Sequence, residues 1–138
     1  MAVFLNAASV KIGTVDITDH VTSATLTQSA DELEITALGD SSRKYVAGLQ
    51  TGTLDLEFLN DFAAASVCAT LQTALYTTVV AKLVPGPGTT ISATNPLYTV
   101  SILINNLTPI AGAAGEMSSS SLSFTCNSTI VQTTTGTW

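Results

Sequence analysis

Charge is what this chain has least of. Lys, Arg, Asp and Glu together make up 10% of its 138 residues, against about a quarter in ordinary soluble domains. Four are basic and ten acidic, giving a formal net charge of −6. A surface that grips nucleic acid by its phosphates needs the opposite sign, so recognition through a basic face is excluded. Histidine occurs once, as His20, and cysteine twice, as Cys68 and Cys126, with no C-x-x-C spacing. No metal-ligand spacing can be assembled from these, and each cysteine reads as a small buried hydrophobe. Long apolar runs are missing too. Residues 79–84 form a short one broken by Lys82, far below the ~20 residues of a spanning helix. No basic region followed by an apolar run opens the chain, so no secretory signal and no membrane partner are expected.

What is present is apolar and hydroxylated. Hydrophobic residues make up 46% of the sequence. With so little charge, a single domain of this length is expected to hide part of its surface in an oligomer. Thr and Ser fill the outward strand positions where most soluble proteins use Lys and Glu. Strands are expected at 3–5, 9–17, 21–28, 33–37, 49–59, 78–84, 97–105 and 119–127, from β-branched content and alternation. The alternation is clearest in 32–37, where Leu33 and Ile35 interleave with Glu34 and Thr36. It recurs in 53–59, where Leu54, Leu56 and Phe58 oppose Asp55 and Glu57. Both patterns read as half-buried strands.

Between them, residues 38–48 are too long for a tight hairpin turn and too mixed in polarity to be buried. Asp40, Ser41, Ser42, Arg43, Lys44 and Tyr45 in this loop are suited to gripping a neighbouring subunit. One helix is expected over 62–76, capped by Asn60 or Asp61, with a seam of Ala64, Cys68, Leu71 and Leu75 laid against a sheet. Pro85-Gly-Pro-Gly and Ala111-Gly-Ala-Ala-Gly break the strand pattern. Beyond Ile130 no periodicity remains, so the tail is expected to be loosely held. The fold class that follows is mainly β, a sandwich or partly open barrel with one flanking helix.

Chemistry is nearly absent. Asp19, His20 and Ser23 are neighbours on one stretch of chain and cannot converge as a triad, and no nucleophile-elbow motif occurs. Asp31, Glu32 and Glu34 lack the alternating ligands and the glycine of a calcium loop. Residues 85–88 lack the Lys and Ser/Thr of a phosphate loop. Two glycosylation-like triplets, at Asn106 and Asn127, are what chance gives in a Thr- and Ser-rich chain. The expectation is a protein without catalytic residues, metal or cofactor.

Three segments carry a resemblance: Ile17-Thr-Asp-His-Val-Thr-Ser-Ala-Thr-Leu26, Asp31-Glu-Leu-Glu-Ile-Thr-Ala-Leu-Gly-Asp40, and Tyr45-Val-Ala-Gly-Leu-Gln-Thr-Gly-Thr-Leu-Asp-Leu-Glu-Phe58. With the Asp-Phe helix start and the late Ser92-Ala-Thr-Asn-Pro-Leu-Tyr98, their order resembles the major tail tube protein of long-tailed bacteriophages. The resemblance runs from Ile17 to Phe124. It implies a β-sandwich-like subunit whose copies assemble, in the host bacterial cytoplasm, into hexameric rings stacked as the hollow tube of a virion tail. Its partners would be other copies and the tape-measure, tail-tip and terminator proteins, with the genome passing through unbound. The 38–48 loop would reach a neighbouring subunit. The sequence departs from the family in its Thr-rich C-terminus and in having no added Ig-like domain.

The residues allow the same reading on their own. About four strands from each of about six subunits, 4.8 Å apart and tilted ~40°, close into a ring of backbone roughly 45–50 Å across. Hydroxyl and carboxylate faces can line such a bore without holding DNA. Asp31, Glu34, Asp55 and Glu57 are the candidate lumen-facing acids, although alternation alone does not say which face points inward. Two other readings stay open: a capsid decoration or other virion surface protein, and an enzyme with no legible catalytic set.

Overall fold

The computed structural model describes residues 8–64, 66–86 and 88–138; the strand expected at 3–5 lies outside them. Among these residues, eight strands form one antiparallel sheet. They are β1 (Ser9–Ile12), β2 (Val15–Asp16), β3 (Val21–Glu34), β4 (Tyr45–Leu59), β5 (Thr78–Val84), β6 (Leu97–Leu103), β7 (Ser119–Cys126) and β8 (Val131–Thr133), with one helix, α1 (Val67–Thr73), between β4 and β5. The order across the sheet is β2-β1-β5-β6-β7-β4-β3, and β8 pairs with β6 beside β7. The sheet curls until its inward side chains share one core. Val10, Ile12 and Ala81 from one half meet Leu54, Leu56, Phe58, Leu122 and Phe124 from the other, with Val100 and Ile102 at the bend.

The two halves do not join. Ala8 and Val10 on one side and Ala24 and Leu26 on the other flank a mainly apolar cleft of about 230 Å³. Thr18, in the short 3-10 turn Thr18–His20, bonds both the N–H and the carbonyl of Val10 across the gap. The result is a partly open barrel with one flanking helix, the expected class.

Period-two alternation explains the best-formed strands. Leu54, Leu56 and Phe58 are fully buried while Thr53, Asp55 and Glu57 are exposed, and β7 repeats this with Ser120, Leu122 and Phe124 inside. Gly52 suits the inner face because a Cβ there would crowd the Thr27 carbonyl oxygen at 3.0 Å as well as Ile130 Cδ1 at 2.9 Å. Ile130 therefore lies directly over β4.

Several expected boundaries are corrected. The 9–17 strand is broken at Gly13, whose φ of 60° turns β1 back into β2. The strand expected at 21–28 runs on as β3 to Glu34, taking in only the first two residues of the one expected at 33–37, and β4 begins at Tyr45 rather than 49. The loop expected at 38–48 thus lies at residues 35–44, and Tyr45 belongs to a strand. The C-terminal segment is not loose: residues 131–133 pair with 97–99 of β6, and Thr137 bridges Thr90.

The helix is half its expected length. Asn60 does not cap it; its side chain ties β4 to β7, donating to Ser118 Oγ and accepting from Ser120 Oγ. Asp61 Oδ1 takes the Ala63 N–H in a local turn, the competing use of Asp that keeps it out of helices. The helix starts only after Ser66, which occupies the cap position without a side-chain cap bond. Ala64 falls outside the helix and Leu75 just beyond it, while Val67, Cys68 and Leu71 are buried. Leu71 is wholly enclosed, so Leu71→Ala is expected to cost about 2–5 kcal/mol through lost transfer and the cavity left behind. Urea unfolding checks this, and a change in stability below ~0.5 kcal/mol would mean that the end of the barrel can collapse around the gap.

Candidate functional site

Two features are left over once the core is accounted for. One is the outward face of β3, β4 and β7. Its cross-strand rows are Ser23–Glu57–Ser121, Thr25–Asp55–Ser123 and Thr27–Thr53–Thr125, with Ser29 and Thr51 hydrogen-bonded to each other at 2.9 Å. All of these residues are exposed. The wall carries hydroxyls throughout, two carboxylates and no basic side chain. Thr and Ser can occupy it because one methyl or methylene packs on the sheet while the hydroxyl faces water or a neighbour. Ser121 Oγ reaches Glu57 Oε1 and Thr22 Oγ1 reaches the Glu57 carbonyl. The Ser121 hydroxyl thus contacts the carboxylate at 3.5 Å without neutralising it, while Thr22 bonds the backbone beneath.

The second feature is an arm. β4 pairs with β7 only from Thr53 to Leu59; from Gly52 back to Tyr45 its sole partner among the described residues is β3. Some eight residues of two-stranded ribbon, ~25 Å at strand rise, thus extend beyond the sheet. Residues 128–130 buttress the root, lining a recess with Gln28–Ala30 and Gln50–Thr51. Past Ala30 and Gln50 the register shifts, because β4 carries one extra residue opposite Asp31. Gly48 accommodates this: a Cβ there would sit 3.2 Å from both Asp31 Cβ and Leu33 Cγ.

The arm's apolar residues are uncovered. Leu33 is 52% exposed, Ile35 56%, Val46 46% and Leu49 81%. The alternation of Leu33 and Ile35 therefore marks an apolar face, but the described residues do not bury it as expected. An isolated two-stranded ribbon is marginal in water, and exposed aliphatic side chains on it point to a covering partner.

The six candidate contact residues divide by what they already bond. Asp40 and Lys44 organise the tip: Lys44 Nζ donates to Asp40 Oδ1 at 2.6 Å, and Asp40 Oδ2 accepts the Ala37 N–H at 2.8 Å. Lys44 and then the Ala37 N–H hold the Asp40 carboxyl below the usual carboxylate range. Ser41, Ser42 and Arg43 stand outward at the tip, and Tyr45 opens β4 opposite Glu34.

The four candidate lumen acids divide too. Strand alternation places Asp31 with Asp55 and Glu57 on the hydroxyl wall's side, whereas Glu34, like Glu32, falls on the opposite face of the arm.

His20 has a partner that its sequence neighbours did not suggest. Its Nε2 lies 2.7 Å from Asp61 Oδ2, joining the turn before β3 to the connection leading into α1. The Ala63 N–H, the Ser66 hydroxyl and His20 together lower the Asp61 pKa. The pair acts as a tie between two connections, 41 residues apart in sequence, and that separation hid it from sequence reading. Both cysteines are free: Cys68 is in the core, and Cys126 is half-buried with its thiol pKa raised by burial. Among the described residues, no group of three or more His, Cys, Asp or Glu is placed to hold a metal ion.

No protein-family model and no curated protein matches this sequence. Among solved structures, a chain from the virion of a native gene transfer agent particle has the same architecture. It superposes with a TM-score of 0.76 at 12% identity, over 96% of this chain and 99% of that one. At such identity the likeness concerns the fold, which this chain shares over nearly its whole length with a chain of a virion.

Proposed function

We propose that this protein is a structural virion component, the major tube subunit of a phage-like tail, whose copies form hexameric rings stacked around a channel for DNA. The observation that carries the reading is the wall of β3, β4 and β7, where hydroxyls and the carboxylates of Asp55 and Glu57 stand with no cation among them. Duplex DNA carries a charge every ~1.7 Å, and a basic bore would bind it through counterion release. A hydroxylated, mildly anionic wall leaves it free to slide. In this reading Asp31, Asp55 and Glu57 face the lumen. The arm, with Ser41, Ser42, Arg43, Tyr45 and Glu34, reaches a neighbouring subunit.

Two further observations support the reading. The arm's uncovered leucines and isoleucine call for a partner, and a second copy supplies one at every subunit of a ring. A chain of the same fold belongs to a virion particle. The subunit acts without catalysis or cofactor and works in the tail with the tape-measure, tip and terminator proteins after assembly in the host cytoplasm. A capsid decoration protein is the competing reading. Negative-stain microscopy of the concentrated protein separates the two, with stacked rings around an open centre as the expected result. Trimers, or particles that bind only to capsid shells, would replace the tube with the decoration reading.

A further inference from the structure

Two of the protein's four Lys/Arg residues face each other across neighbouring strands. Lys11 of β1 is in direct register with Lys82 of β5. Both point away from the core, since Val10, Ile12, Ala81 and Leu83 on either side of them are buried. Like charges directly opposite on an antiparallel pair are destabilising. No carboxylate relieves them: among the described residues the only ion pairs are His20–Asp61 and Lys44–Asp40. Asp16, opposite Lys11 on β2, has turned its carboxylate to the Thr18 N–H and hydroxyl instead. Trp138 fixes the Lys11 ammonium from one side, its ring centre 5.8 Å from Nζ. Val80, two residues from Lys82 on the same face, is 42% exposed. The patch is thus a preorganised double cation with an apolar margin, in a chain whose net charge is −6.

We infer that this lysine pair is the seat for the arm of a second copy, and that Glu32 and Glu34 supply the counter-charges. The inference rests on the proposed assembly and names the contact within it. Glu32 and Glu34 lie two apart on one face of the arm, the spacing of successive same-face residues on a strand. Both are exposed, and neither has an ion-pair partner within the described residues. Tyr45, opposite Glu34 in register and 51% exposed, shares that face of the arm, and its ring would lie along Val80 and Trp138. Acidic and apolar groups on the arm thus meet basic and apolar groups on the patch, and the complementarity sets register as well as attraction.

Zero-length carbodiimide coupling on a mixture of isotopically heavy and light wild-type chains tests this contact directly. The expected result is mixed-isotope amide links from Lys11 or Lys82 to Glu32 or Glu34. Links from these lysines to other carboxylates only, or no intermolecular link at all, would overturn the inference. Rings seen by microscopy in the same sample would leave the tube reading standing.

Charge reversal gives a second readout. Lys11→Glu/Lys82→Glu and Glu32→Lys/Glu34→Lys should each raise the concentration needed for assembly by about tenfold or more, since like-charge contacts cost several kcal/mol. An equal mixture of the two variants, each shown to be folded by circular dichroism, should assemble near the wild-type threshold. Failure of the mixture to recover would equally reject the pairing.

Discussion

Replacing residues 31–49 with an Asn-Gly turn will leave a subunit that folds and does not assemble. Ala30 and Gln50 face each other in register, so a two-residue type I′ turn can join them with the twist that hairpins favour. Nothing in the removed ribbon is buried, whereas Gly52, Leu54, Leu56 and Phe58 remain in place with β7 pairing from Thr53 onward. The monomer's melting temperature is therefore expected to stay within about 4–8 °C of wild type, the equivalent of ~1 kcal/mol for a domain of this class. Sedimentation should show a single small species at concentrations where the intact chain forms large particles. If the shortened protein still made tubes of normal length, the arm would not be the contact that joins subunits. A smaller cut, 41–45, removes Lys44 from its pair with Asp40 and the first residue of β4 together. It is the less clean test.

The arm shows how much the sequence could reveal. Its apolar residues were legible from their spacing, because Leu33 and Ile35 alternate with polar neighbours as in any half-buried strand. Their exposure was not legible, because alternation marks an apolar face without saying what lies against it, and the described residues leave this one exposed. Strand continuity was lost at Gln28-Ser-Ala-Asp-Glu32 for a related reason. No apolar residue larger than Ala marks a face there, and Asp is depleted in strands, yet pairing to β4 carries the strand through. β4 and β7 were read closely because buried Leu and Phe at every second position leave one register only.

The helix failed at its start, where Asp61 bonds Ala63 and accepts His20 instead of capping. Its true anchors, Cys68 and Leu71, were on the expected seam. β8 could not be seen at all. Three residues carry no period, and they become a strand only because β6 leaves an edge free below its two pairs with β7. The lysine pair was invisible for the same reason: residues 11 and 82 meet only through the register of β1 with β5.

The wall is where that register bears on function. If it lines the channel, Asp55→Lys with Glu57→Lys should assemble normally and then eject DNA slowly. Both side chains are exposed and stand beside serines and threonines rather than partner cations, so their replacement breaks no ion pair and buries no charge. Position 57 is flanked by Ser23 and Ser121 and position 55 by Thr25 and Ser123, small side chains that leave room for the longer lysines. Each new lysine that meets a phosphate adds about −0.9 to the slope of log affinity against log salt. With two per subunit repeated around every ring, the contacts accumulate along the whole length of the tube. Transit should slow by orders of magnitude at low ionic strength and recover as salt rises and the Debye length falls from ~10 Å near 0.1 M to ~3 Å near 1 M. A fluorescent-dye assay of genome release from otherwise intact particles would measure both limbs. Asp31→Lys offers a graded companion: alternation puts it on the same side, but on the arm beyond the β7 rows, and its effect should be smaller. Unchanged release at every salt concentration, from tubes confirmed to carry the lysines, would show that this wall does not face the passing genome.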